Sequence, residues 1–506
     1  MIKLSFISLL FGLVFFLSCS WKDSALEKSF QLAKNNKEEL KRVINHYKTK
    51  DDTIGYIASI FLIENMKGLG TYDSKTDSMR LDLEHINADY LISNIDASLK
   101  VSRHNLIKGN ISQTDFLEYI LPYRLGYEGL SNWRKQCLLR YNLISGDLSN
   151  LKTFEEQAFR AVANINNDLI DHFKYTNSES PAEFNNWQQL ITRKSGDCWA
   201  MTNTITYPLR ALGIPAAIDF ITNWGNANGG GHAWNTLVLN NAKDIPFLGF
   251  ETSPPDYNPF RIYKSIDRYP PKIFRKTFSK NEKALPNLIS ATDAIPYNLK
   301  FDRFVDVTDH YLSTKNIRIT LKNRAGPEVA YLSVFSNGFW QPVYWSRVNS
   351  GSYMFDKMAT GLLYMPSSFG NLRINEPLDN PFAVLGQKIL RFKPNKRKFQ
   401  DIKIDNTQSL ELDALSLFGL DISKDTFFQR MEAVLSGKKT SKPIDGESYK
   451  LFYWDNGWVL TGEVKKIPEK ELIFTKVPHN AIYRLISSKS NGKERIFSYH
   501  NGQVWW

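Results

Sequence analysis

Apolar residues in the first third of the chain recur at helical spacing. One set follows the i, i+3, i+4, i+7 pattern of a single buried helix face: Leu40, Val43, Ile44 and Tyr47. Asn36 with Glu39 three residues later predicts a capping-box start for this helix. A second helix is predicted over 54–66, ended by Gly68. The spacing predicts a helical domain over residues 19–149.

The hydrophobic pattern changes over residues 150–285. A helix is predicted over 154–173, and another from Cys198 to Leu212, where Gly213-Ile214-Pro215 ends it. Pro208 is predicted to kink or shorten that second helix. Apolar runs over 216–222, 232–239 and 247–252 then predict strands. Helices followed by antiparallel strands indicate an α+β core.

Beyond residue 286 the pattern alternates as in β-strands, and it repeats itself. The segment 332–339 resembles 451–458, so that Asn337-Gly338 corresponds to Asn456-Gly457 at an offset of 119. Asn-Gly between alternating apolar residues is a strong hairpin signal. We therefore predict two related β-sandwich modules, 286–395 and 396–506, with Trp505 and Trp506 finishing a strand. The whole chain is predicted to be an α+β multidomain protein.

The first residues predict export rather than a folded element. Lys3 is followed by an apolar run to Leu17 that is too short for a membrane span, and Ser18-Cys19 ends it as in a bacterial lipobox. We predict a signal peptide at 1–18, lipidation of Cys19, and a location in the cell envelope, periplasmic or at the surface. A simple cleaved signal peptide with an incidental Cys is the alternative.

Composition narrows the choice of function. The 506 residues are 42% hydrophobic and 23% charged, which excludes a disordered chain, and 13% aromatic, which favours β-rich domains. The net charge of +12 indicates solubility or attraction to an anionic surface, and without a nucleic-acid-binding motif no nucleic-acid partner is predicted. A basic cluster at 391–398, broken by Pro394, is predicted to be a solvated linker or sheet edge.

The chemistry is predicted to reside in a thiol and an imidazole. P-loop, zincin, CxxC and GxSxG motifs are absent, and no metal or cofactor is predicted. Cys137 lies at helical spacing among aromatic residues and is predicted to be a core residue. Cys198 begins a helix, where the helix dipole and unpaired N–H groups favour a thiolate, and the N–H groups of Cys198 and Trp199 could receive an oxyanion. His232 begins a strand after a glycine-rich loop predicted to be flexible, and could act as general base.

A third group should orient the imidazole of His232. Glu251, at the end of the next predicted strand, is the first choice for this role. Asp256, just beyond Pro254-Pro255, is the alternative acid. Sequence reasoning leaves the choice between these two carboxylates open.

These residues resemble the transglutaminase-like core of papain-like cysteine enzymes. The resemblance rests on Gly196-Asp197-Cys198, on the string LRALGIPAA over 209–217 and on GHAWN over 231–235. It implies a Cys198 nucleophile, a His232 base and an acid after the next strand. Where the family carries an Asp-Pro-Thr-like step, this chain has Glu251-Thr252-Ser253. The broader arrangement is similar to exported transglutaminase-like lipoproteins of the Bacteroidetes.

The predicted function is acyl transfer at an amide of a protein or peptide. Because water is abundant outside the cell, hydrolysis by a peptidase or amidase is favoured over cross-linking. The alternative is a non-catalytic envelope protein whose β-modules bind glycan, cell-wall material or protein. In that case four aromatic residues are candidate stacking platforms: Trp340, Trp345, Trp454 and Trp458.

Overall fold

The computed structural model describes most of the chain in separate stretches. These are residues 25–141, 143, 148, 150–170, 172–176, 181–240, 243–247, 268–290, 294–320, 326–370, 375–407, 442–490 and 492–506. Three predicted functional residues, Cys19, Glu251 and Asp256, lie outside them. Within these stretches, none of the helices combines the length and the apolar character needed to cross a membrane.

The chain divides into two compact units, each built from several segments. Unit 1 comprises Met1–Ile218, Asn235–Asp256 and Thr277–Ser279. Unit 2 comprises Asp219–Trp234, Tyr257–Lys276 and Lys280–Trp506. The division passes through two strands of the predicted α+β core, so Cys198 belongs to unit 1 and His232 to unit 2. The described chain mixes helices with several β-sheets.

Unit 1 is mainly helical. Its α-helices span Lys37–Thr49, Thr53–Glu64, Asp82–His85, Ala88–Ile107, Gln113–Tyr119, Trp133–Arg140, Phe154–Leu169, Trp187–Arg193 and Cys198–Ala211. The apolar face predicted for the first of these is confirmed, because all four of its residues are buried. A short antiparallel hairpin interrupts the helical region, formed by β1 (Gly70–Asp73) and β2 (Ser78–Leu81).

The predicted capping box at the first long helix is wrong. Asn36 occupies the N-cap position but makes no side-chain cap. Its amide instead donates to the carbonyls of Leu83 and Ile86 at 3.1 and 2.8 Å. The Glu39 carboxylate accepts from the backbone N–H of Ala88 at 2.7 Å, at the start of the helix Ala88–Ile107. These residues therefore tie the first long helix to the helices Asp82–His85 and Ala88–Ile107 rather than cap it.

Seven further strands lie between residues 174 and 306, in and just beyond the predicted core. They are β3 (Lys174–Tyr175), β4 (Ser195–Gly196), β5 (Ala216–Ile221), β6 (His232–Leu239), β7 (Lys243–Phe247), β8 (Phe274–Lys276) and β9 (Phe304–Asp306). In unit 1, residues 235–239 of β6 pair antiparallel with β7, from Asn235 opposite Phe247 onward. In unit 2, Phe274 of β8 pairs with Phe220 of β5 on one side and with Asp306 of β9 on the other. The predicted strands at 216–222 and 232–239 are confirmed.

The internal repeat of the sequence coincides with two sets of strands. The first repeat holds β10 (Thr314–Thr320), β11 (Val329–Ser336), β12 (Phe339–Arg347), β13 (Ser352–Ala359), β14 (Leu362–Phe369), β15 (Asn375–Pro377), β16 (Phe382–Leu385) and β17 (Lys388–Arg391). The second holds β18 (Asn395–Ile404), β19 (Ser448–Trp454), β20 (Trp458–Lys465), β21 (Leu472–His479), β22 (Ile482–Ser487), β23 (Ile496–Tyr499) and β24 (Gln503–Trp505).

The two repeats share their topology. The order β12-β11-β14-β16-β17 in the first matches β20-β19-β22-β23-β24 in the second, and the pair β10-β13 matches β18-β21. The hairpin register shifts at Leu332 in one copy and at Leu451 in the other, at the offset of 119. In each repeat, residues of both sheets share one hydrophobic core. The repeated sequence and the repeated strand order therefore coincide.

Two other expectations for this region are met by the structure. Trp506 follows β24, is buried, and donates its indole N–H to Ser498 Oγ at 3.0 Å. The basic cluster contains Arg391, the last residue of the exposed edge strand β17, and the exposed start of β18. Lys396 in this cluster forms an ion pair with Asp455. The cluster is therefore a solvated sheet edge, as predicted.

The candidate stacking platforms are mostly core residues. Trp340, Trp345 and Trp454 are each less than a tenth exposed. Trp340 and Trp454 pack edge to face in one cluster, and Trp458 is half-buried against the same cluster. Buried rings offer no face to a ligand, so of the four candidates only Trp458 keeps a partly exposed ring.

Candidate active site

Cys198 is the first residue of a 14-residue helix, Cys198–Ala211, which we call the Cys198 helix. The preceding Asp197 caps it, and its carboxylate accepts from the N–H of Ala200 at 2.9 Å. The helix includes Pro208 and ends at Ala211, one residue before the predicted end, with Gly213 at φ +78°. Pro208 therefore does not shorten the helix. The helix start predicted at Cys198 is confirmed, which places this residue at the end of the helix where the first N–H groups have no intrahelical partner.

The chain before Cys198 fixes where the Cys198 helix begins. Strand β4 pairs in parallel with β3, and the carbonyl of Gly196 accepts from the N–H of Thr176 at 2.9 Å. A Cβ on Gly196 would lie 2.3 Å from the Cβ of Ala200, which is far inside contact distance. Glycine at 196 therefore lets the chain approach the first turn of the helix.

The Cys198 helix is anchored in the core of unit 1. All residues from Ala200 to Ala211 are buried. The Tyr207 hydroxyl donates to Glu128 Oε1 at 2.8 Å, and the Tyr207 ring packs edge to face on Trp133. In the part of unit 1 contributed by β6, the buried Asn235 amide donates to the Thr202 carbonyl at 3.1 Å. Rigid anchoring of the helix fixes the position of Cys198 at its end.

The two described cysteines differ in environment, as the sequence predicts. Neither Cys137 nor Cys198 forms a disulfide. Cys137 is 1% exposed, and burial raises the pKa of its thiol well above the ordinary value. Cys198 is only half-buried at a helix start, and its neighbour Trp199 packs partly into the unit 1 core. Of this pair, Cys198 is therefore the thiol suited to react with a substrate.

His232 lies in unit 2 as the first residue of β6, and its side chain is half-buried between two tryptophans. The ring stacks on Trp224 with centroids 6.1 Å apart and an interplanar angle of 27°, and it lies 6.0 Å from the ring of Trp234. Burial, and then the positive charge of Arg268, lower the pKa of His232 from 6.5 to about 4. The imidazole is therefore neutral at physiological pH, which is the form that can accept a proton.

A buried charge network supports the ring of Trp234. The Trp234 indole N–H donates to the Tyr311 hydroxyl at 3.2 Å, and this hydroxyl donates to Asp219 Oδ2 at 2.5 Å. Arg275 completes the network by a two-bond ion pair with Asp219, at 2.7 and 2.8 Å. Both charged residues are almost fully buried. The sequence signal was a single acid, Asp219, inside the otherwise apolar strand β5, and sequence reasoning missed it.

The loop between β5 and β6 differs from the flexible loop that its glycines predicted. Asn226 and Asn228 are both less than a tenth exposed. Asn226 Oδ1 accepts from the N–H of Tyr269 at 2.8 Å. A Cβ on Gly231 would lie 2.4 Å from the carbonyl oxygen of Ile221, so glycine is required where the loop returns to β6. An asparagine side chain therefore holds the loop by a hydrogen bond, and glycine at 231 allows the backbone to pass close to Ile221.

The sequence predicts no metal ion at this site. Over the stretches that the structure describes, three or more His, Cys, Asp or Glu side chains do not gather where they could hold a metal ion. The two candidate acids, Glu251 and Asp256, lie outside these stretches, so the third group of the site stays a prediction. Within unit 2, Asp219 is a buried acid near Trp234, but its carboxylate is engaged by Arg275 and Tyr311.

Comparison with known proteins supports one family for the central segment. Residues 149–247 match the family model of the transglutaminase-like superfamily. This segment contains Cys198, Trp199 and His232, while Glu251 and Asp256 follow its end. A search among curated proteins found no match.

Two solved structures show distant similarity. One is described as a "Putative Cysteine Protease from Cytophaga hutchinsonii": the match has 16% identity and a TM-score of 0.20, and it covers 26% of this chain and 42% of that one. The other is red sea bream transglutaminase, with 9% identity, a TM-score of 0.18, and coverage of 66% and 67%. The first match thus spans less than half of that protease. At these TM-scores neither similarity carries an argument, and the assignment rests on the family model.

Proposed function

We propose that the transglutaminase-like domain of this chain, residues 149–247, catalyses acyl transfer at an amide bond of a protein or peptide. The observation that carries the proposal is the half-buried thiol of Cys198, which forms no disulfide and stands at the start of a buried helix within this domain. Helix N-termini favour the thiolate and offer N–H donors to an anion. Cys137, buried and with a raised pKa, lacks these features.

In the proposed mechanism, His232 takes the proton of the Cys198 thiol. The sulfur then attacks the amide carbonyl carbon, and the N–H groups of Cys198 and Trp199 stabilise the oxyanion. When the C–N bond breaks, the imidazolium of His232 returns the proton to the leaving nitrogen, and a thioester remains on Cys198. Water or an amine then attacks the thioester and releases the acyl group. His232 is neutral before this step, as a proton acceptor must be, and its lowered pKa makes it a weak base unless a carboxylate stabilises the imidazolium.

The third group of the proposed site is a carboxylate that orients the imidazole of His232. We assign Glu251 to this role and keep Asp256 as the alternative. A carboxylate at this position would stabilise the imidazolium formed during the reaction. Glu251→Gln and Asp256→Asn, compared in one assay, distinguish the two: the variant of the true third residue loses most of its turnover, and the other retains it.

We further propose that hydrolysis is the main outcome and that the protein acts at the cell envelope. An exported enzyme meets water at high concentration, which favours a peptidase or amidase over a cross-linking enzyme. Cys19 would carry the lipid anchor after removal of residues 1–18. The two repeats at 286–395 and 396–506 are then β-sandwich modules attached to the catalytic domain. A Cys19→Ala variant should leave the membrane fraction of the producing cell, whereas the wild type should stay in it.

The catalytic proposal is tested by amide turnover in matched cysteine variants. A glutaminyl peptide is incubated with the full chain, with and without a primary amine, and products are identified by mass. We expect Cys198→Ala to lower turnover by at least about 1,000-fold. Cys137→Ala is the control and should retain turnover, because Cys137 is a core residue. Full turnover in Cys198→Ala would end the proposal, and an amine adduct exceeding the free acid would reverse the preference for hydrolysis.

A further inference from the structure

Three segments of unit 2 meet at the loop that leads to His232. The first is the loop itself, residues 222–231, which connects β5 to β6. The second is the hairpin turn Asn337-Gly338 between β11 and β12 of the first repeat. The third is the segment 492–493 before β23 of the second repeat. Both repeats therefore reach the same loop of the candidate active site.

Asn228 and Asn337 form the centre of this junction. The backbone N–H of Asn337 donates to Asn228 Oδ1 at 2.7 Å, and the Asn228 amide donates to the Lys493 carbonyl at 2.7 Å. The Asn337 side chain in turn accepts from the N–H of Gly229 at 3.3 Å. One asparagine of the loop is thus bonded to the first repeat and to the second repeat at once. Such bonds hold a loop that glycines would otherwise leave free.

Further contacts surround this pair. Ser336 Oγ donates to the Ala227 carbonyl at 3.0 Å. A Cβ on Gly338 would lie 2.1 Å from the carbonyl oxygen of Gly492, so the turn of the first repeat is packed directly on the second repeat. At the other end of the loop, Gly225 donates its N–H to the Tyr269 carbonyl at 2.7 Å. The loop is therefore held along its length.

The duplicated turn provides an internal comparison. Asn456 is the repeat counterpart of Asn337 at the offset of 119, and both adopt left-handed backbone, with φ of +57° and +53°. Asn456 is exposed, and within the described chain its side chain makes no hydrogen bond. A Cβ on Gly457 meets nothing within 4 Å, in contrast to Gly338. The turn of the first repeat thus holds the loop through the hydrogen bonds of Asn337 with Asn228 and Gly229, which we call the clamp. Among the same described residues, the turn of the second repeat makes no such bonds, and its asparagine is exposed.

We propose that Asn228 and Asn337 are positioning residues of the active site, through which the two β-repeats hold the loop that places His232. The β-repeats are then part of the catalytic unit rather than separate binding modules. This inference rests on the proposed function for the catalytic meaning of His232, whereas the clamp itself is a property of the loop. Neither asparagine is assigned contact with the substrate.

The clamp is tested by hydrogen exchange in the full chain. Amide exchange of peptides covering 222–232 is compared among the wild type, Asn228→Ala, Asn337→Ala and the control Asn456→Ala. Loss of one or two hydrogen bonds should speed exchange in this loop about tenfold in the first two variants. Asn456→Ala removes an asparagine from the same backbone conformation and should leave the loop at its wild-type rate. Unchanged exchange in both Asn228→Ala and Asn337→Ala would overturn the proposal.

The positioning role is tested in the same variants by amide turnover. A misplaced base should lower kcat at least about tenfold with little change in KM, whereas Asn456→Ala should match the wild type. Faster exchange with unchanged kcat would show that the clamp does not position His232 and would overturn the catalytic part. If the wild type itself has no turnover, the proposed function fails while the exchange result still decides the clamp. If Asn228→Ala does not fold, Asn228→Asp replaces it, since it keeps the acceptor and loses the donor to Lys493.

Discussion

The side chain of Asn235 donates a hydrogen bond to Thr206 Oγ1 at 2.9 Å. This bond joins the unit 1 part of β6 to the Cys198 helix, and a second bond from the same amide reaches the Thr202 carbonyl. All three residues are buried. A buried amide that serves two partners is costly to remove, because both partners then lose a donor without gaining water.

Asn235→Ala is therefore expected to lower the free energy of unfolding by about 2 kcal/mol. Asn235→Asp should be at least as damaging, although it has nearly the same shape, because a carboxylate cannot donate to the Thr202 carbonyl. Chemical denaturation followed by circular dichroism measures both variants. Wild-type stability in Asn235→Asp would show that the donor function of Asn235 has no role in holding the helix.

The buried pair Asp219–Arg275 should depend strongly on both partners. Asp219→Ala leaves the Arg275 guanidinium buried without its carboxylate, and we expect a loss of about 3–5 kcal/mol in the free energy of unfolding. Tyr311→Phe removes only the hydroxyl between Trp234 and Asp219, with an expected loss of about 1 kcal/mol. Thermal and chemical unfolding rank the two variants. The reverse ranking would contradict the network described above.

The stability of the protein should fall in mild acid because of His232. The pKa of His232 is about 4 in the folded protein and near 6.5 when exposed, so the unfolded chain binds the proton first as pH falls. Above pH 6.5 the free energy of unfolding is unaffected by protonation of His232, because the imidazole is neutral in both states. Between pH 6.5 and 4 the unfolded chain takes up the proton, and the free energy of unfolding falls by at most about 3 kcal/mol.

The pH effect is measured by comparing the free energy of unfolding of the wild type and His232→Gln between pH 4.5 and 7.5. The difference between the two proteins should change with pH in the direction of a wild type that is weakened by acid. A constant difference across this range would show that His232 is not held in its neutral form by burial.

Sequence reasoning succeeded where the signal was local or periodic. The start of the helix at Cys198, the start of the strand at His232 and the repeat that aligns Asn337 with Asn456 all follow from spacing within short windows. It failed where a polar side chain has a partner far away in sequence. Asn36 bonds to residues 47 and 50 positions later, and Asn228 bonds to a carbonyl 265 positions later. A pattern of residue types contains no information about such partners.

The candidate site shows the same contrast. The residue types around Cys198 and His232 pointed to a thiol enzyme, and the family model covers both of them. The glycines before His232 predicted a flexible loop, because glycine allows many backbone conformations. In the structure the asparagines between those glycines hold the loop in place, because their hydrogen bonds tie it to the rest of unit 2.

The central claim, that Cys198 is a nucleophile activated by His232, is tested most directly by the alkylation rate of Cys198. Iodoacetamide is applied at pH 6 to the wild type and to His232→Ala, and modification of Cys198 is quantified by mass spectrometry beside a small-molecule thiol of ordinary pKa. The account predicts that wild-type Cys198 reacts at least about tenfold faster than the reference thiol and that His232→Ala removes this advantage. A wild-type rate no higher than that of the reference, or a rate unchanged in His232→Ala, would contradict it.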